Sequence, residues 1–255
     1  MIIYPLKSNL VRPGDSILRL FTEALVNSRL RLRTNDVLAV SSKIIALSEN
    51  RVRSLDSVRA TEKARGLAKR FSLNPSFTQL VLSEADSVIG GVRGALLTIK
   101  GGDAVPNAGI DRKNAPRGSV VLWPRNPDKN ALRLRQQVKL RFGKNIGVVI
   151  VDSRVAPLRL GTIGFAIGSA GFHPTRDQRG ASDLSGRRLE ITFRAVADGL
   201  AAAAQLVMGE ADERVPFALI RETGIRLNSS AGIGETKLSW DECLYMSQIS
   251  PSRHV

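Results

Sequence analysis

The 255-residue sequence has one cysteine, two histidines and few aromatic residues, and each shortage excludes a class of structure or function. Cys243 has no partner for an internal disulfide, and a single thiol is typical of proteins from a reducing compartment. His173 and His254 are too isolated for a histidine-based metal site. Aromatic residues make up only 5% of the chain, which is too few for an evident base-stacking surface.

Long hydrophobic runs are also missing. No apolar stretch approaches the length of about 20 residues that a membrane-spanning helix needs. The N-terminal residues lack the basic start and long apolar core of a secretory signal peptide. Hydrophobic residues make up 43% of the chain and charged residues 24%, as in an ordinary globular protein. We therefore expect a cytoplasmic protein without a membrane segment.

Basic residues are abundant: the formal net charge is +15 and the isoelectric point is about 10.9. A field of this sign attracts polyanions and small phosphorylated ligands. The cations are spread along the chain and often alternate with leucine, which is typical of a solvated basic surface over buried leucines. The leucines that this pattern predicts to face inward are Leu30, Leu32, Leu132, Leu134 and Leu140. Nucleic acid is therefore not the expected partner, and an anionic small molecule is compatible with the charge.

A short apolar, β-branched run lies near the middle of the chain, from Ile146 to Val151. Its composition predicts a strand that is buried on both faces. Asp152 and Ser153 follow at once, at the end of a strand where ligand groups are commonly placed. An Asp-Ser pair is equally a frequent helix or turn cap, so both interpretations stand on this stretch alone. The glycines that follow, up to Gly171, indicate backbone packed closely against other backbone or a ligand.

Two other stretches carry groups that could bind an anion or a cation. Ser42 and Lys43 follow an apolar run and could donate to phosphate oxygens, although a merely polar strand end is favoured there. In the segment 105–114, Asn107 and Gly109 permit a left-handed turn that would aim Asp111 and Asn114 in a fixed direction. An ordinary loop rich in Asn and Asp explains the same residues.

Glu210 projects from the end of a predicted helix. Apolar residues from Val196 to Val207 share one helical face, and Gly209 ends the helix. Further helices are predicted after Ser16, from Thr61 to Arg70, after Asn74-Pro75 and from Asn130 to Phe142, and a strand is predicted from Arg187 to Phe193.

Six motifs occur together in one order: SSK at 41–43, NAGIDRKN at 107–114, VVIVDS at 148–153, GFAIGSAG at 164–171, DQRGASDLSGR at 177–187 and AVADGLAAAAQLVMGE at 195–210. On these motifs the chain resembles the coenzyme F420-0:L-glutamate ligases. The resemblance implies an α+β fold of mixed sheets with packed helices, in an intertwined homodimer. It also implies a ligase domain over residues 1–222, on which a C-terminal extension, 223–255, packs.

The resemblance further implies a GTP-dependent ligase that joins L-glutamate to coenzyme F420-0 through an acyl-phosphate. Mg²⁺ or Mn²⁺ is the implied cofactor, with a monovalent cation as an additional candidate. The implied metal ligands are Asp111, Asp152, Ser153 and Glu210. The implied nucleotide contacts are Leu10, Val11, Ser42, Lys43, Asn114, Met208 and Gly209, and the implied catalytic residues are Asp152 and Arg159. Carboxylate and hydroxyl oxygens are hard ligands that suit a divalent cation bridging phosphates.

Some positions depart from the family pattern. A family lysine is replaced by Leu47, a family glycine by Asn50, and a Gly-Arg pair by Val155 and Ala156. The arginine-glycine pair after the last strand is Arg221-Glu222 here. These changes leave two alternatives open: a divergent paralogue that joins an amino acid to another carboxylate, and a non-catalytic protein of the same fold that binds nucleotide or polyanion.

Overall fold

The computed structural model describes residues 1–227 and 232–249. The described residues form two compact units, the first from Met1–Glu49, 124–227 and 232–236, and the second from Asn50–Trp123 and 237–249. The predicted α+β class is confirmed, since the described residues contain several sheets and six α-helices. The division at residue 222 stays a prediction, and residues 228–231 and 250–255 of the predicted extension lie outside the described residues.

The strands and helices follow the chain in a mixed order. The strands are β1 (Ile2–Leu6), β2 (Val37–Ser41), β3 (Val52–Ser54), β4 (Ser87–Val92), β5 (Ala95–Lys100), β6 (Asp103–Pro106), β7 (Ser119–Val121), β8 (Gly147–Arg154), β9 (Ile163–Ala170), β10 (Thr175–Asp177), β11 (Phe193–Ala195) and β12 (Phe217–Arg221). The helices are α1 (Ile17–Asn27), α2 (Ser42–Ser48), α3 (Glu62–Phe71), α4 (Pro75–Glu84), α5 (Pro127–Phe142) and α6 (Val196–Met208).

A five-stranded sheet in the order β1-β12-β2-β8-β9 organises the first unit. Strands β2 and β8 run parallel, and the other neighbours in this sheet are antiparallel. Residues 37–40 and 147–151 are buried, which confirms the predicted strand covered on both faces. Because β2 and β8 are parallel, their carboxyl ends lie at the same edge of the sheet.

The two faces of this sheet have different partners. Val37 and Ala39 of β2 and Val149 and Val151 of β8 join one core cluster with α6. Side chains alternate between faces along a strand, so the intervening residues point the other way. On that other face Phe217 of β12 lies 5.7 Å, between ring centroids, from Phe21 of α1. The sheet is therefore packed by helices on both faces.

The second unit contains the three-stranded sheet β4-β5-β6, the pair β3-β7 and helices α3 and α4. Thr61 caps α3, and Asn74 caps α4 by accepting a hydrogen bond from the backbone N–H of Phe77 at 2.9 Å. Phe71, Phe77 and residues of β4, β5 and β7 form a separate core cluster. This unit therefore has a hydrophobic core of its own.

Two expectations from the sequence are wrong, and a third is right except at one end. The stretch 187–193 forms no strand apart from Phe193. The predicted helix from Asn130 to Phe142 is confirmed as α5, which begins three residues earlier, at Pro127. Leu134 is buried, but Leu132 and Leu140 are exposed, by 39% and 87%. Residues two apart lie on different faces of a helix, so alternation with arginine cannot bury every leucine of α5.

No helix within the described ranges is both long and apolar enough to cross a bilayer.

Candidate functional site

The predicted acid Asp152 lies in β8, at the edge of the sheet where β2 also ends. The chain leaves β2 and enters α2 at Ser42, whose buried hydroxyl donates to Asp152 Oδ1 at 2.6 Å. Parallel pairing brings these residues together across 110 positions of sequence. Ser42 was predicted to contact nucleotide; in the structure its hydroxyl holds one oxygen of Asp152.

Ser153, the next residue of β8, faces the opposite side of the sheet and the end of α6. Its hydroxyl donates to Glu210 Oε1, and the side-chain amide of Gln205 donates to the same oxygen. Two of the predicted metal ligands, Ser153 and Glu210, are therefore in direct contact. The carboxylate of Glu210 is held from a strand and from a helix at once.

The turn that leads out of α6 is formed by Gly209, which caps the helix with a φ of 74°. The carboxylate of Glu213 folds back over Gly209 and accepts a hydrogen bond from the backbone N–H of Ala211 at 2.8 Å. Backbone hydrogen bonds, first from Glu213 itself and then from Ala211, hold the pKa of Glu213 below its usual range. Met208, predicted beside the nucleotide, is buried in the core of the first unit.

Asp111 belongs to the second unit and follows the predicted left-handed turn. Asn107, Ala108 and Gly109 all have positive φ, which confirms the turn. Asn107 Oδ1 accepts a hydrogen bond from the backbone N–H of Leu96 at 2.9 Å, which holds the turn against β5. The backbone of Gly109 lies so close to the Trp123 ring that a Cβ at this position would overlap it. The backbone of Asp111 forms an antiparallel β-bridge with Val121 of β7. Its side-chain Oδ1 accepts a hydrogen bond from the backbone N–H of Lys113 at 2.7 Å.

The remaining predicted contacts lie on more open surfaces. Asn114 is exposed in the second unit with a φ of 58°. In the first unit Lys43 is half-buried at the start of α2, Val11 is half-buried and Leu10 is exposed. Arg159 is exposed in the turn between β8 and β9, where its backbone N–H donates to Ala156 O at 3.2 Å. The roles of these residues stay predictions.

The positions that depart from the family pattern have clear structural settings. Leu47 is buried on α2 and contributes to the core. Asn50 and Glu222, which stand where the family has glycine, both adopt left-handed backbone, with φ of 55° and 57°. Arg221 forms a buried ion pair with Asp36, with Nε 2.8 Å from Oδ1. The guanidinium of Arg221 is therefore held by an ion pair in the interior of the first unit.

The oxygen donors of the first unit fit a hard divalent cation in their chemistry: the carboxylates of Asp152 and Glu210 and the hydroxyl of Ser153. Among the residues that the structure describes, no group of three or more His, Cys, Asp or Glu side chains is gathered to hold a metal ion. Mg²⁺ usually binds through one or two carboxylates and takes its other ligands from water and substrate phosphates. These donors therefore suit a divalent cation that completes its coordination with water or with phosphate oxygens.

Gln205 is a site residue that the sequence analysis missed. It lies within α6, where the alanine-rich pattern drew attention to packing. A polar amide five positions before Glu210, beside the predicted last turn of the helix, was the available signal. Helical geometry alone could not show that the chain after Gly209 turns back toward Gln205.

Comparison with known proteins shows which family the chain resembles. The model of the family described as F420-0:Gamma-glutamyl ligase matches residues 5–222. A coenzyme F420:L-glutamate ligase of Methanopyrus kandleri is 38% identical over 83% of this chain and 82% of its own length. The protein of the same name from Archaeoglobus fulgidus is 36% identical over 91% of both chains. One from Haloarcula marismortui is 36% identical over 83% of both chains.

Proposed function

The chain belongs to the F420-0:gamma-glutamyl ligase family, and we propose that it joins L-glutamate to coenzyme F420-0 by an amide bond, with GTP as co-substrate. The observation that carries the proposal is the pairing of both predicted acids of the first unit with predicted hydroxyls: Asp152 with Ser42, and Glu210 with Ser153. Such pairing fixes the direction of each carboxylate before a ligand binds. The single cysteine favours a cytoplasmic setting for the reaction.

In the proposed reaction the acceptor carboxylate attacks the γ-phosphorus of GTP, and GDP leaves. The amine of glutamate then attacks the acyl carbon of the acyl-phosphate, and inorganic phosphate leaves as the amide bond forms. Phosphoryl transfer of this kind depends mainly on positioning and electrostatic stabilisation, so no dedicated acid-base residue is required.

In this proposal Ser153 and Glu210 on one side of the sheet, and Asp152 on the other, would be ligands of Mg²⁺ or Mn²⁺, and Asp111 of the second unit stays a predicted metal ligand. A divalent cation neutralises charge on the transferred phosphoryl group. Ser42 keeps Asp152 Oδ1 in place, Lys43 of the first unit would contact the nucleotide, and Asn114 of the second unit stays a predicted nucleotide contact. Arg159 would offer its guanidinium to an anionic group of the substrate. A monovalent cation remains part of the proposal as an additional cofactor.

We also propose that the enzyme is a homodimer, supported by fully exposed leucines in the first unit. Leu158 and Leu160, in the turn between β8 and β9, are exposed by 105% and 107%, and Leu184 is exposed by 109%. Contiguous exposed apolar surface is typical of protein interfaces, and Leu158 and Leu160 are only two positions apart in the turn. Sedimentation should give a dimer for the natural chain and a monomer for a Leu158→Asp, Leu184→Asp variant.

The ligase activity can be tested by mass spectrometry of coenzyme F420-0 incubated with the purified chain, L-glutamate, Mn²⁺ and GTP, with ATP in a parallel reaction. We expect a product heavier by one glutamate residue, only when metal and nucleotide are both present. No product from folded protein that binds GTP would refute the proposed acceptor and favour a paralogue with another carboxylate substrate.

Asp152→Asn separates catalysis from simple anion binding. The amide keeps the size of the side chain and removes the charge, so we expect turnover to be lost while binding to a polyanion column is unchanged. Asp56→Asn, in an exposed turn of the second unit, is the matched control and should keep full activity. Persistent ligation by Asp152→Asn would show that the metal-site assignment is wrong.

A further inference from the structure

The Glu210 carboxylate receives a hydrogen bond from a residue that the proposed function does not use. Gln205 donates its side-chain amide to Glu210 Oε1, the same oxygen that accepts from Ser153. Gln205 lies in α6, whereas Glu210 lies beyond the glycine that ends this helix. The amide therefore links the helix to the turn that carries the acid.

The packing of α6 against β9 gives Gln205 a fixed position. Ser153 pairs with Gly164 across strands β8 and β9, so the two residues lie side by side. A Cβ on Gly164 would lie 2.8 Å from Gln205 Cβ, closer than real side chains approach. Thr162, two residues earlier, has its hydroxyl 3.5 Å from Gln205 Nε2. Only glycine at position 164 lets the helix lie this close to the strand.

A second contact anchors the opposite end of α6 to the same strand. Asp198, in the first turn of the helix, accepts a hydrogen bond from the backbone N–H of Ala166 at 3.0 Å. The helix is thus attached to β9 near both ends, which fixes its rotation about its own axis. That rotation decides whether Gln205 faces Glu210.

The chemistry of the amide suits a carboxylate that must remain available to a cation. A glutamine N–H is a neutral donor, so it orients the carboxylate without supplying a positive charge that would compete with a metal ion. Removing a group that hydrogen-bonds to a metal-binding side chain typically lowers metal affinity or activity by about 10- to 100-fold.

We infer that Gln205 is a positioning residue that holds the Glu210 carboxylate in the orientation that binds the divalent cation. This inference depends on the proposed metal site at Glu210. It assigns to the end of α6, through Gln205 and Gly164, a role in metal affinity in addition to its role in packing.

The test is titration of the full-length protein with Mn²⁺ alone, followed by the electron paramagnetic resonance signal of free Mn²⁺. Gln205→Met keeps the length of the side chain and removes the donor, so we expect Mn²⁺ to bind about tenfold more weakly. Gln205→Asn keeps an amide but withdraws it by one methylene, and it should weaken binding in the same direction. Gln137→Met, an exposed position on α5, is the matched control and should bind as the natural chain does.

Glu210→Gln distinguishes failure of this inference from failure of the proposed function. The role of Gln205 is refuted, and the metal site stands, if Glu210→Gln binds Mn²⁺ weakly while both Gln205 variants bind it as tightly as the natural chain does. If Glu210→Gln binds Mn²⁺ as tightly as the natural chain, or if the natural chain itself binds no Mn²⁺, the metal site is refuted. In the ligase assay Gln205→Met should raise the Mn²⁺ concentration needed for half-maximal rate and leave kcat at saturating Mn²⁺ within about twofold. A purely structural role would instead lower the melting temperature without moving that concentration.

Discussion

The buried ion pair between Arg221 and Asp36 provides a direct test of the first unit. Arg221 is the last residue of β12, and Asp36 immediately precedes β2, the neighbouring strand. The guanidinium makes two bonds to the carboxylate, at 2.8 and 2.9 Å, and a third to the carbonyl of Arg31 at 2.9 Å. Arg221→Met keeps most of the apolar stem and removes all three bonds.

The expected loss follows from how deeply the pair is buried. The side chains of Arg221 and Asp36 are exposed by only 8% and 1%. The hydrogen bonds that the guanidinium donates to Asp36 raise the pKa of Arg221 above its usual range, so the guanidinium is charged throughout the working pH range. Removing one partner of such a pair leaves a buried charge uncompensated, which costs about 3–5 kcal/mol.

Urea denaturation followed by far-ultraviolet circular dichroism measures this loss. Arg179→Met is the matched control, because Arg179 and Asp177 form a similar ion pair at 2.7 Å in which both side chains are half exposed. An exposed pair contributes about 0–1 kcal/mol, so this variant should unfold nearly as the natural chain does.

The double variant Arg221→Met, Asp36→Asn completes the test. Once both charges are gone no ion is left buried, so the double variant should be more stable than Arg221→Met alone. If Arg221→Met costs less than about 1 kcal/mol, or if the double variant loses the sum of the two single losses, the argument from an uncompensated buried charge is refuted.

Three further predictions concern the second unit and the backbone. Gly109→Ala should cost about 3 kcal/mol of unfolding free energy in urea, because its methyl group would overlap the Trp123 ring; an unchanged midpoint would contradict that packing. Glu222→Gly should stabilise the chain by about 0.5–1 kcal/mol, measured as a higher melting temperature, since Glu222 pays for a left-handed backbone with a φ of 57°; a lower melting temperature would count against it. Burial disfavours the charged form of Glu84, but the ion pairs with Lys100 and Arg51 outweigh it and hold its pKa below the ordinary value of 4.5. The contribution of Glu84 to the free energy of unfolding is therefore complete above the pKa that Glu84 has in the unfolded chain. It is lost as pH falls through the lower pKa that Glu84 has in the folded chain. Glu84→Gln should then lower the melting temperature at pH 7 and much less at pH 3, and an equal effect at both would disprove the linkage.

The central strand and the half-buried acid that follows its apolar run could be predicted because the signals are local. The β-branched run before Asp152 is short, apolar and bounded by polar residues, and such runs form buried strands. The left-handed turn before Asp111 was equally predictable, since Asn and Gly tolerate positive φ. In both cases neighbouring residues alone determine the conformation.

Contacts between distant segments could not be predicted from those signals. The family resemblance predicts that Ser42 contacts the nucleotide, and this role stays a prediction; the hydrogen bond from its hydroxyl to Asp152 depends on a strand pairing that no local pattern records. Gln205 was missed because the turn after Gly209 decides where Glu210 lies. The arginine-leucine alternation was misleading for Leu140, since a period of two belongs to strands and this segment is a helix.

Positions 50 and 222, where the family resemblance leads us to expect glycine, adopt the left-handed backbone that glycine favours, with a φ of 55° at Asn50 and of 57° at Glu222. A side chain in this region carries a cost in conformational free energy, which is smaller for asparagine than for glutamate.

The parallel pairing of β2 and β8 also has a consequence for how the protein folds. The residues that meet at the sheet edge are 110 positions apart, and the whole polypeptide of the second unit up to Trp123 lies between them in sequence. Contacts that close long loops form slowly, because the entropy of closure is lost before the contact is gained. During synthesis Ser42 therefore leaves the ribosome well before its partner strand exists, and the carboxylate edge is assembled late. Refolding experiments should recover the core of the second unit before the sheet edge that carries Asp152.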